Sequence, residues 1–258
     1  MSDELKVEWD RMCRGELARA AEKGSIVVLP VGAMEQHGPH LPVNTDVVTV
    51  WHVAVTAARL LEDVPIVVAP PVWSGLSPYH MTYAGTISLR LETLAKLVED
   101  ICTSIAAHGF RAIVLLNGHG GNRGLLKGMA LELRDRLEIP VLAVTYWDLM
   151  METIEAVREG QGRSIGHAGE METSIQLFLQ EELVVADQMK LAPGVTDDPG
   201  LGRREKGGRL MEAAGESLAA WLRVVAREID SLMDDPCTYL NLMHRVDLAL
   251  AEASGCSS

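Results

Sequence analysis

The sequence predicts an α/β fold: a single-domain, three-layer αβα arrangement around a mainly parallel sheet. Three observations carry this prediction. Short β-branched apolar runs alternate with longer amphipathic runs, the pattern of strands joined through crossover helices. The 258 residues contain no Pro/Ser-rich linker and no internal repeat, so they suit one α/β domain. Residues able to do chemistry follow directly after the predicted strands, where open parallel sheets gather their ligand-binding loops.

Each element has a local reason. SIVVLPVG (25–32) is a β-branched run ending in glycine and reads as a buried strand. Residues 47–63 place apolar side chains at helical spacing. PIVVAPPV (65–72) is a strand stopped by its prolines. Residues 89–109 form a helix closed by Gly109. FRAIVLLNG (110–118) and PVLAVTYWDL (140–149) are strands flanking a helix at 122–138. Helices are expected at 169–183 and, as one long element, at 204–234. The domain is expected to cover 1–236, with 237–258 as a C-terminal tail.

Composition excludes several functions. Acidic residues number 36 against 23 basic ones, a net charge of −13. Nucleic-acid backbones and anionic membrane surfaces both call for a Lys/Arg surplus, so neither is expected as a partner. No apolar stretch approaches the roughly 18 residues that would suggest a bilayer span, and MSDELKVEWDRM lacks the basic-then-apolar order of a signal peptide. Cys13, Cys102, Cys237 and Cys256 form no CxxC pair, which argues against a zinc ribbon or a disulfide framework. A cytoplasmic location with reduced thiols is the expectation.

Three glycine-framed clusters carry the chemistry. In GAMEQHGPHLPVNTD (32–46), Glu35 and His37 are two apart and project to one side of an extended segment. Asp46 follows, and two carboxylates with an imidazole suit a divalent transition metal; Asp46 as a plain helix cap is the competing reading. NGHGGNRG (117–124) sets His119 on a tight turn after a strand. It fits neither GxGxxG nor a P-loop, so a ligand role for His119 competes with an anion loop supported by Arg123. GHAGEMETS (166–174) brings His167, Glu170 and Glu172 together, suiting a metal edge with a proton shuttle, although acids in a first helical turn also suit the helix dipole.

With LPVGAMEQHGPHLPVNTD, HMTYAGTISL, LLNGHGGN, YWDL, HAGEMETS and REKG in this order from residue 29 to about 207, the chain resembles the creatininase (creatinine amidohydrolase) family. The resemblance implies a creatininase-like α/β fold with two divalent metal ions per chain, commonly Zn or Mn, with Fe in some relatives. It implies hydrolysis of a C–N bond in a small cyclic amide, lactam or formamide, and a homo-oligomer, hexameric as in enzymes of the creatinine type. Carried over, Glu35 and His119 would sit on one metal, His37 on the other, and Asp46 would bridge both. The family's further ligand Glu, two residues beyond the loop His, is Gly121 here. Glu170 is the expected replacement, which makes the metal set Glu35, His37, Asp46, His119 and Glu170; whether Glu170 or Glu172 completes the second site stays open. His167 matches the catalytic His, with Glu172 positioning it, supporting the metal shell, or serving as a first-turn helix acid. Trp147 matches an active-site Trp and, with Tyr79 and His80 of the 73–88 loop, is a substrate-contact candidate. A second Trp expected upstream of the catalytic His is absent, since that stretch reads GRSIGH, which points to a member other than creatininase itself.

The expected reaction is attack of a metal-bridged hydroxide on the amide carbonyl, with one ion polarising the carbonyl oxygen and His167 moving a proton to the leaving nitrogen. A variant is deformylation of a formylamino-pyrimidine ribosyl phosphate. A reading of another class is a non-catalytic metal-binding regulatory protein; its mark would be a lost ligand or acid/base group, and Glu35, His37, Asp46, His119, His167 and Glu170 are all present.

Overall fold

The computed structural model describes residues 6–162 and 164–244. Four parallel strands form its sheet: β1 (Ile26–Val31), β2 (Ile66–Val68), β3 (Ala112–Asn117) and β4 (Val141–Thr145), in the order β2-β1-β3-β4. Every residue in them is buried, as expected for parallel strands covered on both faces. The register sets Ile26 between Ile66 and Ala112, and Ile113 against Val141.

Three helices make the crossovers. α1 (Arg14–Glu22) precedes the sheet; α2 (Thr45–Arg59) joins β1 to β2, α3 (Leu91–Ala107) joins β2 to β3, and α4 (Arg123–Leu137) joins β3 to β4. The chain steps outward from β1 to β2, then reverses across β1 to β3. With right-handed crossovers, that reversal puts α2 on one face and α3 and α4 on the other. Packing agrees. α3 lies against α4, whereas α2 lies against α6 (Glu170–Leu179) and α7 (Arg204–Glu228). The reversal also opens a crevice between the carboxyl ends of β1 and β3, the place where doubly wound sheets bind ligands.

Several boundaries differ from the sequence expectation. Prolines 70 and 71 cut the second strand to Ile66–Val68, and beyond them only a single bridge joins Val31 to Val72. The fourth strand stops at Thr145, where the chain tightens into a 3-10 turn over Tyr146–Met150 and then α5 (Met151–Val157). The long C-terminal helix divides into α7 and α8 (Ser231–Asp234). α9 (Pro236–His244) buries Tyr239, Leu242 and Met243, and the Tyr239 hydroxyl donates to Val141 O at 2.7 Å. The packed body therefore reaches at least Met243, past the boundary expected at 236; residues 245–258 of the expected tail lie outside the described residues. Among the described residues, Cys13 and Cys237 are exposed free thiols and Cys102 is a buried one, pushed up to about 12 by burial; Cys256 lies outside them. No helix of the described residues is long and apolar enough to cross a membrane.

α7 crosses α6 closely enough that a glycine is required. A Cβ on Gly207 would lie 1.9 Å from Ser174 O, whereas one on Gly208 would meet only the Phe178 ring at 3.4 Å. Gly207→Ala is therefore expected to cost about 1–3 kcal/mol through overpacking. Gly208→Ala should stay within about 1 kcal/mol of wild type, because the helix gains propensity at that residue. Paired guanidinium denaturation curves check this, and equal losses at the two positions would contradict the crossing geometry.

Candidate metal centre

The loop after β1 enters the crevice and returns as α2, and its side chains converge there. Asp46 falls in the first turn of α2 rather than at its cap, which is Asn44. Its carboxylate stands between two imidazoles, with Oδ1 3.2 Å from His37 Nε2 and Oδ2 3.0 Å from His119 Nδ1. Glu35 Oε1 lies 3.3 Å from His119 Nδ1. From α6, Glu172 Oε2 reaches to 3.5 Å from His37 Nε2 and accepts the Ala168 N–H at 2.6 Å. Glu35, His37, Asp46, His119 and Glu172 are all buried.

Each imidazole is oriented by its other nitrogen. His37 Nδ1–H donates to its neighbour Glu35 O at 3.1 Å, leaving Nε2 toward the carboxylates. His119 Nε2–H donates to Leu76 O at 3.0 Å, leaving Nδ1 toward Glu35 and Asp46. Backbone partners of this kind fix the tautomer and aim the ring of a metal-ligating histidine. Glu35 Oε2, His37 Nε2 and Asp46 Oδ2 are buried without an aligned hydrogen-bond partner, and buried polar atoms left in this way suit a cation that takes the place of the imidazole protons. Two groups sharing Asp46 have ligand atoms within 4.8 Å of one another: Glu35–Asp46–His119 and His37–Asp46–Glu172. These donor sets, carboxylate oxygen plus imidazole nitrogen, fit divalent transition ions.

The electrostatics say the same. Burial alone would lower the two imidazole pKa values. Instead, Glu172 and Asp46 hold His37 well above the usual imidazole range, and Asp46 and Glu35 push His119 up to about 10. Asp46 and Glu35, which burial would raise, are held below the usual carboxylate range by the same imidazoles. The cluster demands positive charge.

Around it lies a cavity of about 400 Å³. His167, His80, Tyr79 and Trp147 all line it. The His167 ring lies 4.4 Å from both the His37 and His80 rings, and its Nδ1 is 3.5 Å from Glu35 Oε1. Tyr79 is largely exposed, with its hydroxyl 3.3 Å from His119 Nε2 and its own pKa pushed up to about 12 by burial of the phenol and by Glu35. Burial lowers His80. His40 supports the centre from behind: it is buried, bonds Thr173 Oγ1 at 2.9 Å, and is lowered to about 4 by burial and by His37.

Glu170 is not brought to the centre. Its carboxylate ion-pairs with the buried Lys206 and accepts N–H groups of Glu159 and Gly160, each at 2.8 Å. Burial would raise its pKa, and these partners hold it low. The place expected for Glu170 is taken by Glu172. Gly121 shows why the loop itself cannot supply that ligand: a Cβ there would sit 2.1 Å from Leu76 O. Three residues escaped the sequence reading. Gln36, between two expected ligands, is buried and touches both His80 and His167. Thr196 Oγ1 accepts the His167 N–H at 2.7 Å, and Asp197 Oδ1 accepts the Glu170 N–H at 2.6 Å, opening α6. The EQH triplet was the only hint of Gln36; the 194–197 loop carried none.

Comparison with known proteins follows the same lines. The family model Creatininase, described as creatinine amidohydrolase, matches residues 10–222. The creatinine amidohydrolase of Pseudomonas putida is 34% identical over 197 residues, 70% of this chain and 75% of that protein. The mycofactocin precursor peptide peptidase of Mycobacterium ulcerans (strain Agy99) is 34% identical over 171 residues, 63% of this chain and 62% of that protein. The solved structure "Creatininase Mn" superposes with a TM-score of 0.74 at 29% identity, covering 87% of this chain and 99% of that one.

Two outcomes test the centre. Glu172→Gln is expected to lower divalent metal content measured on purified protein, while Glu170→Gln keeps the metal and instead loses about 1–3 kcal/mol of stability, because Lys206 keeps Glu159 and Leu201 O but loses its buried carboxylate. The reverse pattern would restore Glu170 as the ligand. Because the carboxylates raise His37 and His119, a cation must displace protons to bind. Zn2+ added to chelator-treated protein at pH 7 should release protons, and affinity should weaken as pH falls, about tenfold per pH unit for each proton displaced. Calorimetry in buffers of different ionisation enthalpy reads that number, and a value of zero contradicts the arrangement.

Proposed function

The chain belongs to the creatininase family, and we propose that it is a metal-dependent amidohydrolase cleaving a C–N bond in a cyclic amide, lactam or formamide. The observation that carries this reading is the pair of donor sets sharing Asp46 at the floor of one cavity. Glu35, Asp46 and His119 would hold one divalent ion, and His37, Asp46 and Glu172 a second. Zn or Mn, with Fe as the third candidate, would supply an acidified water and a positive charge for the carbonyl oxygen. His167, next to Glu35 at the cavity wall, takes a proton as the nucleophile attacks and delivers it to the leaving nitrogen. His80, Tyr79 and Trp147 orient the substrate. Assembly as a homo-oligomer belongs to the same proposal.

The cavity favours a neutral substrate. Among the described residues, none that line it is Lys or Arg, and Arg123, within the glycine-rich turn in sequence, is ion-paired with Asp148. A formylamino-pyrimidine ribosyl phosphate would find no cationic side chain for its phosphate among the described lining residues. A peptide amide is the second reading. It draws on the similarity to the mycofactocin peptidase and on the exposed Trp73, Met81 and Tyr83, which share a loop with Tyr79 and His80 and offer apolar surface to a longer chain.

A turnover screen with added Mn, Zn or Fe separates these readings. Neutral cyclic amides, lactams and formamides, creatinine included, are set against formylated nucleotide analogues and short peptides. Turnover of a neutral amide, removed by chelation and lowered about 10²–10⁴-fold in His167→Gln, is the expected result. Cleavage confined to peptides, or full activity in His167→Gln, would refute the respective part.

A further inference from the structure

Gln36 lies between two of the candidate ligands, yet its side chain turns away from them to the rings around the cavity. Its amide is oriented without ambiguity: Gly38 N–H donates to Oε1 at 2.9 Å, so Nε2 is the end that faces the histidines. Three polar atoms lie within hydrogen-bond distance of that nitrogen: Gly194 O at 3.1 Å, His80 Nδ1 at 3.0 Å and His167 Nε2 at 3.0 Å. An amide nitrogen carries two protons, so one of the three receives none. The backbone decides which. Gly194 O can only accept, and takes one proton. His167 Nε2 also lies 3.0 Å from Gln36 O, a carbonyl that can only accept, so His167 Nε2 must carry its own proton and donate it there. The second amide proton is left for His80 Nδ1.

From this geometry we infer that Gln36 is a positioning residue that, through its side chain and its carbonyl, fixes His80 and His167 both as Nε2–H tautomers. The two rings then present opposite functions to the same carboxylate. His167 turns an unprotonated Nδ1 to Glu35 Oε1 at 3.5 Å, and His80 turns an N–H to that oxygen from 4.0 Å. A lone pair facing a carboxylate oxygen leaves room for a proton or a cation between them, and Glu35, His37 and His167 indeed have ligand atoms within 4.8 Å of one another. His167 is thereby the proton acceptor of the cavity and His80 its hydrogen-bond donor. These catalytic meanings rest on the proposed amide hydrolysis; the tautomers do not.

Long-range 1H–15N correlation on Zn2+-loaded, 15N-histidine-labelled protein tests the inference directly, because protonated and unprotonated ring nitrogens resonate in separate ranges. His80→Asn and His167→Asn assign the two rings. Both are expected to carry their proton on Nε2 alone. In Gln36→Met, which removes the amide but keeps the carbonyl of residue 36, His80 should become a mixture of tautomers while His167 stays Nε2–H. A proton on Nδ1 of either ring in the wild type, imidazolium included, overturns the inference, as does a His80 signal unchanged by Gln36→Met, the result of a purely packing role. If Gln36→Met does not fold, the wild-type spectrum decides alone. Should these spectra come out as expected in a protein that turns over no amide, the functional reading fails and the tautomer assignment stands.

Discussion

The buried carboxylate of Asp46 between two imidazoles is the interaction on which the rest of the structure depends. Three carboxylates and two imidazoles occupy one buried cluster, and burying an unpaired charge costs several kcal/mol. The fold answers that cost twice. The imidazoles are held by backbone carbonyls so that their remaining nitrogens face the acids. Asp46 and Glu172 also sit in the first turns of α2 and α6, where the positive end of a helix dipole favours negative charge. What these devices leave over is an excess of lone pairs, the chemistry that a divalent ion completes.

Topology brings these groups together. The strand order β2-β1-β3-β4 reverses the chain's direction at β1 and β3, so the loops after those strands diverge to opposite faces and leave a crevice. Glu35 and His37 follow β1, and His119 follows β3. A further wall comes from farther along the chain: α6 packs on α2 and α7, and its first turn delivers Glu172. The turn after β3 has no space for a side chain at Gly121, and the carboxylate of Glu172 reaches the cluster on its His37 side, from a helix about fifty residues later in sequence.

Much of this was legible in the sequence because strand ends and glycine-framed turns are local signals. The four strands, the crossover helices and the convergence of Glu35, His37, Asp46, His119 and His167 follow from runs of a few residues each. What was not legible depends on distant pairing. The Gln36 side chain has its meaning only through His80, His167 and Gly194, separated from it by 44, 131 and 158 residues. The packing of α9 depends on a single hydroxyl reaching Val141 and on three buried side chains that local periodicity does not distinguish from a tail.

The exchange of Glu170 for Glu172 has a simpler cause. Two residues apart on an α-helix, their side chains diverge by roughly 200°, so one of them at most can face the centre. Which one does so is set by the phase of α6, and the phase is set by where the helix starts. That start is fixed from outside the motif: Asp197 accepts the Glu170 N–H, and Ala168 adopts a left-handed conformation, φ 52°, that turns its own N–H to Glu172. Once the helix opens there, Glu170 points to Lys206 and to the N–H groups of residues 159 and 160. Its partners are donors and a cation, so it is neutralised within the protein and has no capacity left for an ion. Glu172 meets an imidazole and one N–H instead, and keeps lone pairs free. Identical carboxylates thus divide into a structural and a candidate ligand role through their surroundings alone, and Lys206 in REKG, far from the chemistry in sequence, holds the first of them out of the way.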